Sequence, residues 1–440
     1  MRTPTALATL VLTAVLGCSH LGPGGPEKIP SDVLAEWNQL VLELAEEEDR
    51  FLTLKGLRTA AMVHLAIHDS LQAIAPRYEP YLAPSSGAPS EVPADPVATA
   101  AAAAHAVAVE QYPQHRERLD ERLAIWLEKV EESTARELAL KLGGERAHAI
   151  LGDRRGDGWD GEPEYRWHPM APGVYAEFNQ HSGTPEGFVF GAGWAEARPF
   201  MLDAPDHFRS PPPPAIASPS YAKAFDEVRQ VGRFDSQQRT ADQSHLALWW
   251  KEFVESSHNR LARRLMLDEG ADLWSSARFF ALLNMTIYDS YINVFENKFH
   301  YNHWRPYTAI RWAAEDGNPA THPEPDWDNH HRHTYAFPSY PSAHGTACAA
   351  AMEIFAETFG GDRPFAMETP EVDRAGPLSE KIPMDPAVRH FDRFADAAVE
   401  CGQSRIYLGI HFRYDAEAGT DLGRQVGAFA IESFLRPRSP

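Results

Sequence analysis

Three short segments bring cationic and imidazole side chains together at spacings that ordinary surface charges have no reason to keep. In "KFHYNHWRP", Lys298 and Arg305 stand seven residues apart. In "FPSYPSAHG", Ser342 and His344 flank Ala343 at the start of an Ala-rich stretch. In "SRIYLGIH", Arg405 and His411 stand six residues apart with almost nothing charged between them. A solvated loop would mix in Asp, Glu or Lys, so this last pair reads as part of a buried wall, and buried cations need an anion. Two guanidinium forks and one ammonium are the usual tools for holding a phosphate-like tetrahedral oxyanion. A histidine at its central atom would complete such a site.

The elements that must position these groups are partly readable. Pro306 pushes Arg305 out of helical geometry, which predicts a helix end between Lys298 and Arg305. Prolines 338 and 341 predict an extended approach to Ser342, a good N-cap. The helix it opens runs to Gly360-Gly361 and places His344 in its first turn. Unpaired backbone N–H groups at such an end suit an oxyanion. Arg405 and His411 would diverge on a regular helix, so a break permitted by Gly402 and Gly409 is required if both are to face one site.

Helical periodicity dominates from Val33 onward, with stretches at 56–75, 97–111 and 117–142 rich in Ala, Leu and Glu. Residues 152–215 interrupt it with Gly, Pro and aromatics and close on "SPPPPAIASPS". Helical patterns resume at Tyr221 and continue to the end, apart from "DGNPATHPEPDWDNHHRHTYAFPSYP" and "METPEVDRAGPLSEKIPMDP". The expectation is an all-α fold of two helical bundles: an N-terminal bundle at 33–151, an irregular connector at 152–215 and a second bundle at 216–437 that carries the oxyanion site. "AMVHLAIHDSLQAI" (61–74) aligns without gaps on "ALLNMTIYDSYINV" (281–294), an offset of 220 residues. Either two similar amphipathic helices or two related bundles would give this. Only the second copy continues into a lysine, Lys298, where the first has Tyr78. Asp69 and Asp289 recur in the repeat and read more readily as buried acceptors than as catalytic bases.

Lys-six-residues-Arg-Pro, Pro-Ser-(Gly)-His and Ser-Arg-five-residues-His are the three motifs of one superfamily. It unites vanadium-dependent haloperoxidases with type-2 phosphatidic acid phosphatases and bacterial acid phosphatases. The present chain resembles that superfamily, its motifs standing as Lys298/Arg305/Pro306, Pro341-Ser342-Ala343-His344 and Ser404-Arg405/His411, and its flanking text and length resemble the bacterial haloperoxidase-like branch. The resemblance implies a chloroperoxidase-like helical fold, with His411 as ligand to the vanadium of vanadate, or as nucleophile toward phosphorus. It implies Lys298, Arg305, Ser342 and Arg405 on the equatorial oxygens, and His344 as acid/base. Ala343, in the usual Gly position, would add its backbone N–H, and Phe295 and Phe337 match aromatics near a halide path. The implied activity is oxidation of a halide by hydrogen peroxide. The alternative is an acid phosphatase that turns over a phosphomonoester through a phosphohistidine at His411, and a non-catalytic oxyanion-binding lipoprotein is a third reading.

A net charge of −21 argues against nucleic acid as a partner, and confines any anion site to a local pocket. The N-terminus has one Arg, an apolar run from Ala6 to Leu16, then Gly17-Cys18. It reads as a secretory signal (1–17) whose "VLGC" resembles a lipobox, followed by a Gly/Pro tether (18–32). The expectation is export with a lipid on Cys18 as the only membrane attachment, in a bacterial envelope facing the periplasm or the outside. Cys348 and Cys401 are compatible with one disulfide or with two buried thiols. His322, His330, His331 and His333 invite a zinc reading, but they lack the helical spacing and carboxylate base of a metalloprotease.

Overall fold

The computed structural model describes residues 28–83, 93–176 and 178–438. The expected signal, Cys18 and most of the tether lie outside the described residues. The chain is mainly helical: α1 (Asp32–Asp49), α2 (Lys55–Ile74), α3 (Pro96–Gln111), α4 (Arg116–Glu128), α5 (Thr134–Asp153), the short α6 (Asn179–Ser182), α7 (Pro219–Val231), α8 (Ala241–Trp249), α9 (Val254–Asp268), α10 (Leu273–Tyr301), α11 (Pro306–Arg311) and α12 (Ala343–Phe359). After four short strands, β1 (Phe365–Glu368), β2 (Glu371–Asp373), β3 (Lys381–Pro383) and β4 (Val388–Phe391), it closes with α13 (Phe394–Leu408) and α14 (Arg413–Ser433). Among the described residues no helix is long and apolar enough to cross a membrane.

The expected stretch at 117–142 is two helices. Ser133 accepts from the Arg136 N–H at 3.4 Å and restarts the chain as α5, so a local cap overrides the continuous Ala/Leu/Glu pattern. The segment read as irregular around residues 367–386 is a long antiparallel ribbon. β1 pairs with β4 and, beyond a bend, β2 pairs with β3. Its strands are three or four residues long, too short for a two-residue period to stand out.

α10 is the spine. It packs on α2 on one side and on α12 and α14 on the other, and one apolar cluster runs through both halves of the chain. The repeat has a physical counterpart here. Asp69 accepts from the Tyr81 and Leu82 N–H groups at 2.7 and 2.9 Å. Asp289 accepts from those of Phe200, Met201 and Leu202 at 2.7, 2.7 and 3.1 Å. Each aspartate ties an irregular segment to its helix, as expected of buried acceptors, and burial raises both carboxyls to about 6.

Close helix packing sets the site's floor. A Cβ on Gly419 or Gly423 of α14 would lie 2.5 Å from the Ser342 carbonyl or 2.2 Å from that of Thr346, so glycine lets α14 press against the start of α12. α12 is also bonded to α13 through the disulfide Cys348–Cys401, which closes a separation of 53 residues. Chain-entropy arithmetic for a loop of that length gives a stabilisation of about 4 kcal/mol. Cys401→Ser is expected to lower the unfolding free energy by that order in a guanidinium titration, and an unchanged midpoint would contradict it.

Candidate functional site

α10 ends at Tyr301, and Arg305 is the N-cap of α11 with Pro306 in its first turn, as the proline predicts. Lys298 and Arg305 therefore do not share a continuous helix. They converge through the loop between. The chain bends at Tyr340 and Pro341, so the approach to Ser342 is not a simple extended run. Ser342 caps α12, accepting from the Gly345 N–H at 3.3 Å. Gly409, at φ 84°, ends α13, and its absent side chain makes room for the Gly232 carbonyl, which a Cβ would approach to 2.3 Å. His411 follows in the bend before α14. The required break is thus at Gly409, whereas Gly402 stays inside α13.

Around that bend the cations meet. Arg305 donates from Nε to the Phe337 carbonyl at 2.8 Å, and from Nη1 to the Ile410 carbonyl at 3.0 Å and to His411 Nε2 at 3.2 Å. Lys298 Nζ donates to the carbonyls of Pro338, Ser339 and Pro341 at 3.0, 2.8 and 2.5 Å. Its ammonium thus holds the loop leading into Ser342, and its charge sits just behind the cage. Arg405 donates to Ser404 Oγ at 3.0 Å and lines the cavity with Ala343, His344 and His411.

Asp415, four residues after His411 on the first turn of α14, is a residue the sequence reading missed. Its Oδ2 lies 3.0 Å from His411 Nδ1 and accepts from the Phe412 N–H at 3.1 Å and from the Ser339 hydroxyl. With the Nδ1 hydrogen directed at the carboxylate, the Nε2 lone pair faces Arg305 and the cage. The signal was the four-residue step in "HFRYD", inconspicuous in a chain with 62 acidic residues.

Electrostatics follows from burial. Desolvation pulls Arg305 and Arg405 down to about 10. Lys298 is pushed well below its ordinary value by burial and then by Arg305. Burial, then Arg305, Lys298 and Arg405, depress His411 far below 6.5, and burial followed by Arg405 does the same to His344. Burial pushes Asp415 up to about 7, opposed first by the Ser339 hydrogen bond and then by Lys298. Both imidazoles are neutral near pH 7, and among the described residues Asp415 is the one carboxyl group within hydrogen-bond distance of His411, beside the cations Lys298, Arg305 and Arg405.

A tetrahedral oxyanion fits this set. Among the described residues, the buried Arg305 Nη2 and His344 Nε2 have no hydrogen-bond partner, which is costly unless a guest supplies one. The cavity above has a volume of about 410 Å³. Its wall is aromatic, with Phe295 and Phe337 at 5.2 Å between ring centroids and Trp194 at 5.0 Å from Phe295. The zinc reading gains no support. The one His/Cys/carboxylate group among the described residues close enough for a metal is His344, Cys348 and Cys401, whose two sulfurs are bonded to each other. Asp415→Asn is expected to weaken vanadate binding 10–100-fold through loss of His411 orientation. Titration calorimetry on the folded variant checks this, and His411→Ala should show no binding.

Residues 278–439 match the VCPO second helical-bundle domain. The vanadium chloroperoxidase of Curvularia inaequalis is 26% identical over 275 residues, which is 49% of this chain and 44% of that protein, so this chain spans less than half of the relative's length. A bacterial vanadium-dependent iodoperoxidase superposes with a TM-score of 0.71 at 22% identity, covering 94% of this chain and all of that one. A bacterial vanadium-dependent chloroperoxidase in its holo form superposes with a TM-score of 0.63 at 17% identity, covering 86% and 90%. Together these matches support the superfamily of vanadium-dependent haloperoxidases and type-2 phosphatidic acid phosphatases that the three motifs indicate.

Proposed function

We propose that this chain is a vanadate-dependent haloperoxidase that oxidises a halide with hydrogen peroxide. The observation that carries the reading is the buried His411 Nε2, oriented by Asp415 and faced by Arg305 inside a cage of excess positive charge. Vanadate held there supplies the Lewis-acidic centre at which peroxide is turned into an oxidant. The protein's own work is preorganisation. His411 Nε2 would be the ligand. Arg305, Arg405, Ser342 and the Ala343 N–H would hold the oxygens, and Lys298 would add charge while it fixes the loop. His344 Nε2, without a partner and in the first turn of α12, is placed to give and take a proton. The aromatic wall of Phe295, Phe337 and Trp194 keeps bulk water off the oxidant, and the likeness to an iodoperoxidase over 94% of the chain supports this reading over a phosphatase.

Phosphate has the same shape and charge pattern as vanadate, so an acid phosphatase is the second reading. The neutral, carboxylate-oriented imidazole of His411 favours it, being a competent nucleophile toward phosphorus. Elemental analysis and paired assays separate the two. Vanadate-loaded protein should oxidise iodide or bromide with peroxide, and release of phosphate from a monoester without halide turnover would reverse the assignment. His344→Ala should keep vanadate affinity within a few-fold while lowering turnover about 10²–10⁴-fold.

We also propose that the protein is exported and held by a lipid on Cys18. Support comes from the apolar N-terminal run, the "VLGC" sequence and the disulfide, a bond that persists in oxidising compartments.

A further inference from the structure

One acidic group in the cavity is left unused by this mechanism. Glu255, on the first turn of α9, is 2% exposed and lines the same space as His344, Arg405 and His411. Among the described residues no cation pairs with it. The phenol of Tyr291 lies 3.2 Å from its Oε2. Tyr291 belongs to the face of α10 that also carries Phe295 and Lys298, and its ring packs edge-on against Trp194 at 5.7 Å. A carboxyl buried without a cation is an expensive way to fill space, and in a cleft it marks a working group.

We propose that Glu255 and Tyr291 form a halide subsite, in which the protonated acid offers one O–H to the anion while the second hydrogen of the pair is held between them. The count is simple. A neutral Glu255 and Tyr291 carry two O–H hydrogens. One bonds internally, and one remains for the cavity. If Glu255 ionises, the single remaining hydrogen is consumed by the internal bond and the cavity faces a negative charge. A halide suits this place because it needs a donor without a strong counter-ion, and the positive ring edges of the neighbouring aromatics complete its surroundings.

The groups facing Glu255 keep it protonated. Burial raises its carboxyl to about 8, its own backbone N–H and Tyr291 oppose that, and Glu46 and Asp49 at the end of α1 push it further up. Tyr291 is raised well above its ordinary value, so the phenol does not titrate below it. Elsewhere on the cavity wall, Lys251 is turned to the ribbon carbonyls of Asp373 and Ala375. His344 and His333 are neutral, Burial raises Asp373 and Tyr335, and Arg405 stands on α13. The sign is fixed by the acid: the subsite is competent below about pH 8 and is lost as pH rises through that value.

This inference rests on the haloperoxidase reading, and its test separates the two. Crystals of vanadium-free protein are soaked in sodium bromide at about pH 6 and about pH 9.5, on either side of the Glu255 transition. The expected result is an anomalous bromide peak in contact with Glu255 and Tyr291 at the lower pH only, and in Glu255→Gln crystals at both. In vanadate-loaded protein the bromide KM should rise roughly tenfold per pH unit above that transition, since only the protonated fraction binds. The rise should be absent in Glu255→Gln. No peak at about pH 6, or a wild-type peak unchanged at about pH 9.5, overturns the subsite whatever the turnover. The expected peaks without halide oxidation under any condition would uphold the subsite and remove the haloperoxidase reading instead.

Discussion

Lys298, Arg305 and Arg405 are carried into the interior with no carboxylate ion-paired to them among the described residues, Asp415 being the acid that acts on the first two, and the C-terminal half is built to tolerate that excess. The cost of such burial is met partly by carbonyl dipoles. Five of them, from Phe337, Pro338, Ser339, Pro341 and Ile410, accept from Lys298 and Arg305. Dipoles solvate a cation without neutralising it. The field therefore survives into the cavity, where it adds to the burial that keeps His344 and His411 neutral and gives an oxyanion reason to enter. Were the balance made with carboxylates instead, the same side chains would form a stable ion-pair cluster with no call for a guest.

This arrangement also explains where rigidity is concentrated. The loop through Ser339 and Pro341 serves two masters, as its carbonyls cradle Lys298 while the Ser339 hydroxyl steadies Asp415. Ser342 N–H in turn donates to the Asp415 carbonyl at 2.9 Å, tying the cap of α12 to the first turn of α14. The disulfide joins α12 one turn after His344 to α13 one turn before Arg405. His344 and Arg405 are thus coupled in position by a covalent link, as preorganised electrostatic stabilisation requires.

Much of this was legible in the sequence because it is local. A proline after Arg305, a serine before an Ala-rich run and a glycine between Arg405 and His411 each act within a turn of themselves, and each bends the chain as expected. The resemblance carried by the three motifs gave the helical fold. What stayed hidden depends on partners far along the chain. Lys298 reads as a free cation until the carbonyls 40 to 43 residues on are seen around it. Glu255 reads as one more acid on a helix start, and its meaning lies in forming no ion pair among the described residues while it lines the cavity. The break at Ser133 and the ribbon were missed because short local signals were outweighed by longer compositional ones.

α10 shows how one element joins these levels. Its residues 281–294 repeat the pattern of α2, and both helices use an aspartate to hold an irregular segment by its backbone. Beyond Val294 the two diverge. α2 stops at Ile74, whereas α10 continues to Tyr301 and presents Tyr291, Phe295 and Lys298 at steps of four and three residues along one face. Those three side chains belong in turn to the proposed halide subsite, the aromatic wall and the cation cage. The helix fixes their order and spacing along its axis, so the proposed subsite, the aromatic wall and the cation cage follow one another along one face of α10. Its divergence from α2 is what turns a packing helix into the backbone of a site.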